Sequence, residues 1–150
     1  MDIRPFDGNQ ASATELTDFH QLTLASAPDW ANNAPTDYDS VIKKLRGGES
    51  PFGPTTHRAA YLDGKLIGDA EVSLPQEGST QLAVLRITVH PDYRGRGVGT
   101  ALLRHVAAEC QALGRSVAEM WNLPLGGVGE RWGRQRGFAV VTTRVNQTLA

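Results

Sequence analysis

Val89-His90-Pro91-Asp92-Tyr93-Arg94-Gly95-Arg96-Gly97-Val98-Gly99-Thr100 is the stretch that decides the fold. Before it, Leu82 to Val89 is the most apolar strand of the chain, which predicts a strand buried in the middle of a sheet. Pro91 breaks the pairing, and three alternating glycines deliver the chain to a helix over Gly97 to Leu113. Val98, Leu102, Val106, Cys110 and Leu113 form its expected buried stripe, and Gly114 follows its end. Backbone free of side chains lets several N–H groups point at one anion, and the helix dipole adds to the attraction. Arg94 and Arg96 bring positive charge to the same place. The bend therefore has the chemistry of a phosphate or pyrophosphate cradle. It is not a Walker loop, because no Lys follows Gly99, and Thr100 stands where the dinucleotide fingerprint requires its third glycine. A connection that holds no ligand needs far fewer than three alternating glycines.

Outward from the bend, turn signals divide the rest of the chain. Ile3 to Phe6 reads as a strand ended by Asp7-Gly8. Ser12-Ala13-Thr14-Glu15 is a capping box that predicts a helix from Ala13 to about Ala25. Thr36-Asp37-Tyr38-Asp39 starts a second helix, with Tyr38, Val41, Ile42 and Leu45 on one face and Gly47-Gly48 at its end. Arg58 to Leu62 and Leu66 to Leu74 flank the hairpin turn Asp63-Gly64. Strict alternation places Leu66, Gly68, Ala70, Val72 and Leu74 on one face, and Asp69, Glu71 and Ser73 on the other. Ser116 to Asn122 is a further strand, Glu130 to Arg136 a short helix closed by Gly137, and Phe138 to Leu149 a final extended segment. The order β-α-α-β-β-β-α-β-α-β defines a mixed α/β (α+β) domain with one central sheet.

Composition narrows the class. A chain of 150 residues fits one domain, and 15 Lys+Arg against 16 Asp+Glu lack the basic surplus of general nucleic-acid binding. One cysteine forms no intramolecular bridge. No apolar run approaches the length of a membrane span, and the N-terminus lacks the apolar core of a signal peptide. These features predict a cytoplasmic protein that engages neither membrane nor nucleic acid.

Arg94-x-x-Gly97-x-Gly99 resembles the R/Q-x-x-G-x-G/A pyrophosphate motif of the GNAT family of acetyl-CoA-dependent N-acetyltransferases. The preceding Leu85-Arg86-Ile87-Thr88-Val89-His90-Pro91, the following Ala101-Leu102-Leu103 and the later Gly137-Phe138 are also similar to that family. The resemblance implies a single domain over residues 1–150, with a mixed sheet of six to seven strands flanked by four helices. It implies acetyl-CoA as co-substrate and no metal. Backbone amides from Gly95 through Arg96, Gly97, Val98 and Gly99 to Thr100 would hold the pyrophosphate, with Arg94 beside them. The pantetheine arm would run along Ile87 to Val89 like an added strand, in the opening where the fourth and fifth strands splay. The Val89 N–H would polarise the thioester carbonyl, and Asn122 is a further cofactor contact. Arg131, Arg134 and Arg136 are candidates for the nucleotide end, beside the plainer reading of a solvated helix face.

The implied reaction is direct attack of a neutral amine on the thioester. An alkyl amine with a pKa near ~10.4 is neutral about once in 10^3 molecules at pH 7, a deficit of roughly 4–5 kcal/mol, so a proton must be removed. Many family members carry a carboxylate early on the fourth strand; Leu82-Ala83-Val84-Leu85 has none. Many carry a tyrosine four residues before the Gly-Phe pair; here that position is Gly133. Glu71 is the first substitute base, followed by Glu119 and His90. His20, His57 and His105 have no acid at suggestive spacing and read as ordinary histidines. Acceptor specificity is expected in Ala27 to Thr36, where Asp29 and Trp30 suit an ammonium group.

Family members usually finish with two strands after the Gly-Phe pair, and twelve residues follow Phe138 here. Two functional classes follow. One is an N-acetyltransferase acting on a primary amine of a small molecule or peptide. The other is an acetyl-CoA-binding domain without turnover, like the first half of a tandem GNAT protein. A second GNAT domain or a homodimer would complete the sheet in either case.

Overall fold

Asp63 and Gly64, both at positive φ (50° and 78°), turn β2 (Thr55–Leu62) directly into β3 (Lys65–Ser73). The computed structural model describes residues 1–29, 35–47, 53–78, 80–121, 123 and 127–139. Next to the turn, Leu62 faces Lys65 and Tyr61 faces Leu66, but the next pair is Ala60 with Gly68. Ile67 is therefore an extra residue on β3, a β-bulge. A bulge of one residue exchanges the faces of everything beyond it. Leu66 joins the layer of Ala59 and Tyr61, whereas Ile67, Ala70 and Val72 pack in the opposite layer. The strict alternation expected from the sequence is thus broken at Leu66.

β1 (Asp2–Phe6) and β4 (Leu82–Val89) flank this hairpin antiparallel, and β5 (Val117–Met120) adds parallel to β4. The described sheet has five strands in the order β1-β2-β3-β4-β5. α1 (Ala13–Ser26) and α2 (Tyr38–Leu45) cover one face; α3 (Val98–Ala112) covers the other. α4 (Val128–Gln135) follows β5. The predicted element order holds through α4. The final strand expected over Phe138 to Leu149 lies outside the described residues, apart from Phe138 and Ala139.

Local chemistry sets the helix boundaries. Ser12 Oγ accepts from the Glu15 N–H at 3.1 Å, and the Glu15 carboxylate accepts from the Ser12 N–H at 3.1 Å, which closes the capping box. Such caps contribute about 1 kcal/mol each. Asp37 caps α2 through the Ser40 N–H in the same way. Phe6, Leu16, Phe19, Leu22, Val41, Ile42 and Leu45 form the core on the α1/α2 side. On the other side, Val98, Leu102, Val106 and Cys110 of α3 are buried against β3 and β4. Leu113, expected on that stripe, is 64% exposed because α3 ends at Ala112 and the chain turns away at Gly114. Among the described residues no helix is long and apolar enough to cross a membrane.

Candidate active site

β4 is longer than its pairing with β5. The parallel register runs from Leu82–Val117 to Leu85–Met120, while β4 continues to Val89. Along an extended strand, successive residues turn their amides to opposite edges. The His90 N–H donates to Ile67 C=O at 2.8 Å, toward β3. The amides of Ile87 and Val89 consequently face the edge beyond the end of the β5 pairing. The Val89 carbonyl on that edge accepts from Arg94 Nε at 3.2 Å, which folds the arginine back over the strand end.

The bend follows at once. His90 Nδ1 accepts from the Asp92 N–H at 3.1 Å and caps a 3-10 turn over Pro91–Tyr93. That bond occupies the ring nitrogen of one sequence-level base candidate. Gly95 and Gly97 take φ of 74° and 82°, in the left-handed region that side chains resist. Gly97 is the N-cap of α3, without a side-chain cap, and the first helical bond runs from the Ala101 N–H to the Gly97 carbonyl at 3.0 Å. The amides of Val98, Gly99 and Thr100 precede that bond, so the helix itself leaves them without partners. The third glycine has a different reason. A Cβ on Gly99 would lie 3.1 Å from Trp132 Cζ2, so its bareness lets α4 approach α3.

Between the strand end, the bend and α4 lies a cleft of about 450 Å³. Ile87, Val89, Arg94, Gly95, Gly97, Val98, Gly99 and Thr100 all line it, as do Arg131, Trp132 and Arg136 from α4. Arg96 stacks over the Tyr93 ring instead, 5.3 Å from its centroid. Arg134 pairs with Glu130 one helical turn away, Nε to Oε1 at 3.1 Å. Asn122 and Trp30 lie outside the described residues. With arginines and the backbone amides of the bend in its lining, the cleft suits an anionic ligand.

A second cavity of about 170 Å³ opens on the other face of the sheet, between α1, α2 and the strands. Thr88 lines both spaces, so a single residue of β4 stands between them. Glu71, the first substitute base, lies on the strand face that α1 and α2 cover, where the helices enclose a polar cluster. His57, Asp69, Glu71, Arg86 and Lys44 all border the cavity. His57 Nδ1 lies 3.0 Å from Asp69 Oδ2, and both residues are buried. The pairing contradicts the sequence reading of His57 as a histidine without an acid. Burial favours the neutral ring, but the charge and hydrogen bond of Asp69, with Glu71 behind them, outweigh it and raise the His57 pKa; Lys44 opposes. Burial pushes the Asp69 carboxyl up, and the His57 charge pulls it back. Imidazole is intrinsically the stronger base, so a single proton shared by the pair rests on the ring. Burial lowers the Arg86 pKa, against the charges of Glu71 and Asp69. His57 Nε2 and Asp69 Oδ1 are buried with no hydrogen-bond partner among the described residues.

The remaining candidates have structural duties. Glu119 Oε2 accepts from Trp121 Nε1 at 3.0 Å. His20 Nε2 is 2.8 Å from Thr36 C=O and joins α1 to the start of α2. His105 Nε2 lies 2.8 Å from Glu109 Oε1 on α3. Cys110 is a buried core residue, its thiol pKa raised by that burial.

The site thus combines an amide-lined bend, an unzipped strand edge and, on the other side of β4, a second polar cavity. Residues 16–125 match the Acetyltransferase (GNAT) family, and the chain belongs to that family. It is similar to a mycothiol acetyltransferase of Nocardiopsis dassonvillei, 36% identical over 89 residues that cover 57% of this chain and 24% of that protein. The matched region spans between 24% and 32% of the mycothiol acetyltransferases to which the chain is similar. A tandem GNAT protein from the clavulanic acid biosynthesis pathway superposes with a TM-score of 0.65 at 22% identity, over 78% of this chain and 35% of that one. An aminoglycoside N-acetyltransferase in complex with CoA superposes with a TM-score of 0.71 at 19% identity, over 99% and 93% of the two chains. At these identities the structural likeness establishes the fold.

Proposed function

We propose that this chain transfers the acetyl group of acetyl-CoA to a primary amine of a small molecule or peptide by direct attack. The observation that supports the reading is Thr88, which borders both the basic cleft and the polar cavity and so sets the two spaces on either side of one residue of β4. In this reading the Gly95–Thr100 amides and Arg94 hold the pyrophosphate. The pantetheine arm pairs with the exposed edge of Ile87 to Val89, and Asn122 adds a contact beyond β5. The Val89 N–H then meets the thioester oxygen as it gains charge. Glu71 supplies negative charge that draws an ammonium into the cavity. Acetyl-CoA brings the activated acyl group; the chain supplies orientation, a hydrogen-bond donor and a place for the proton. Calorimetric titration should give saturable acetyl-CoA binding, and an amine panel should give amine-dependent thiol release. No binding at millimolar acetyl-CoA overturns the reading.

A second reading, an acetyl-CoA-binding domain without turnover, is favoured by one position. Gly133 stands where many family members carry a tyrosine, and a Cβ there would meet Met120 Cε at 3.1 Å. No hydroxyl reaches a leaving thiolate from that position. The partial coverage of the longer relatives fits a domain that works beside a second GNAT unit or a second copy of itself. Binding without thiol release across the amine panel would select this reading.

A further inference from the structure

We propose that His57 is the catalytic proton acceptor for the incoming amine, with Asp69 as the residue that positions it. The inference rests on the acetyl-transfer reading above and names the base that the reading leaves open.

Three observations carry it. The Asp69 carboxylate can only accept, so its 3.0 Å contact to Nδ1 places the ring proton there and leaves the Nε2 lone pair available. Nε2 has no partner among the described residues, and buried polar atoms are normally satisfied. The ring borders the cavity that shares Thr88 with the basic cleft, and Thr88 is also the register partner of Asp69 across β3 and β4. We assign an amine bound in that cavity as the donor to Nε2, an atom that the packing around the ring otherwise encloses.

Glu71 is less suited to the same task. It stands opposite Arg86 in the register and helps sustain that guanidinium's charge against burial. The ionisable groups around the ring are Asp69 and Glu71 from β3, Arg86 from β4 and Lys44 from α2; α1 contributes the Phe19 ring, 5.6 Å away edge to face.

The proton balance closes. Neutral His57 takes one proton from the ammonium, and the freed nitrogen pair attacks the thioester carbonyl carbon. The C–N bond forms and the C–S bond breaks. The second amine proton goes to the departing CoA thiolate, and the imidazolium returns its proton to solvent. No oxidant, reductant or metal enters.

The test is the pH profile of kcat/KM, with spermidine, glucosamine, kanamycin and a free alanyl peptide as acceptors. His57→Gln should lower kcat by about 10^2- to 10^4-fold and abolish the acidic limb, with calorimetric acetyl-CoA affinity unchanged. Asp69→Asn should move the acidic limb while retaining part of the rate. Nitrogen NMR of the wild-type ring should show the Nδ1-protonated tautomer, a readout that needs no variant to fold. Full activity in His57→Gln, an unmoved acidic limb, or the Nε2-protonated tautomer overturns the assignment while acetyl transfer stands. A wild type that binds acetyl-CoA but acetylates none of the four amines overturns both.

Discussion

Arg136, just past the end of α4, reaches the Thr100 hydroxyl in the first turn of α3, with Nη2 at 2.7 Å and Nε at 2.9 Å from Oγ1. Its guanidinium also stacks on Trp132, 4.5 Å from the ring centroid. Two elements that share few core contacts are joined at the mouth of the basic cleft. A phosphate seated on the Thr100 amide would lie beside this cation.

Arg136→Ala should therefore weaken acetyl-CoA binding about tenfold, the scale of one charge-assisted hydrogen bond. The loss should shrink as salt is added, because the contact is exposed and screened. Arg136→Lys restores the charge but not the fork and should recover only part of the affinity. Melting temperature should scarcely move in either variant, since surface links of this kind contribute about 0–1 kcal/mol. Calorimetric titration at two salt concentrations, paired with thermal unfolding, checks all three outcomes.

The glycines of the bend should separate by mechanism. Gly97→Ala forces a side chain into φ 82° and should cost about 1–2 kcal/mol of stability. Gly99→Ala has ordinary helical backbone, but its methyl would press on the Trp132 indole at 3.1 Å. That variant should displace α4 and lower acetyl-CoA affinity more than it lowers stability. Denaturant unfolding and calorimetry on the two single variants distinguish these outcomes; equal losses in both assays would remove the distinction.

The cleft at the bend was legible in the sequence because its floor is built from consecutive residues. Val89 to Thr100 carry a strand end, a bend and a helix start, and each leaves a local signature. The polar cavity on the other face was not legible, because it depends on register. A bulge-free hairpin about Asp63-Gly64 would set His57 opposite Ala70, on the α3 face. The extra residue at Ile67 moves that partner to Glu71 and brings His57 onto the face of Asp69. Nothing in the composition of Leu66-Ile67-Gly68 announces a bulge, although Gly68 hints at one. A Cβ on Gly68 would lie 3.0 Å from Thr88 C=O and 3.1 Å from Leu102, so the glycine lets α3 settle close to the bulged strand. Trp132 was equally hidden, since its role depends on how α4 docks after residues that are remote in sequence, and the sequence offered Arg136 only as one of three arginines without separating it from Arg134.

Proton linkage at His57 gives a sign that can be checked. Its pKa is raised in the folded state, so folding takes up a proton. The stabilising contribution is complete below the unfolded value of about 6.5 and is lost as pH rises through the folded value. Asp69→Asn removes the charge responsible and leaves burial, which lowers the pKa. The slope should then reverse, with stability falling as pH drops below about 6.5. Denaturant midpoints of wild type and Asp69→Asn across neutral pH read the two slopes; parallel slopes would mean that Asp69 does not govern the ring.

Arg58, the next residue along β2, points to the opposite layer and grips α3. Its Nε lies 3.0 Å from both carboxylate oxygens of Glu109, and the hydrogen bond and charge of Arg58, with help from His105, hold the Glu109 pKa below its usual 4.5. A depressed carboxyl contributes stability above its unfolded pKa and loses it as pH falls through the folded value. Glu109→Gln should cost under about 1 kcal/mol at pH 7, because the pair is partly exposed, and the cost should shrink as pH falls below the unfolded value and through the lower folded one. A double-mutant cycle with Arg58→Met should return a coupling of that same order. Acetyl-CoA affinity and the pH profile of turnover should stay unchanged, since Arg58 and Glu109 lie on the far side of the sheet from His57. A variant pair that alters the turnover profile as strongly as Asp69→Asn would show that the two layers are not independent.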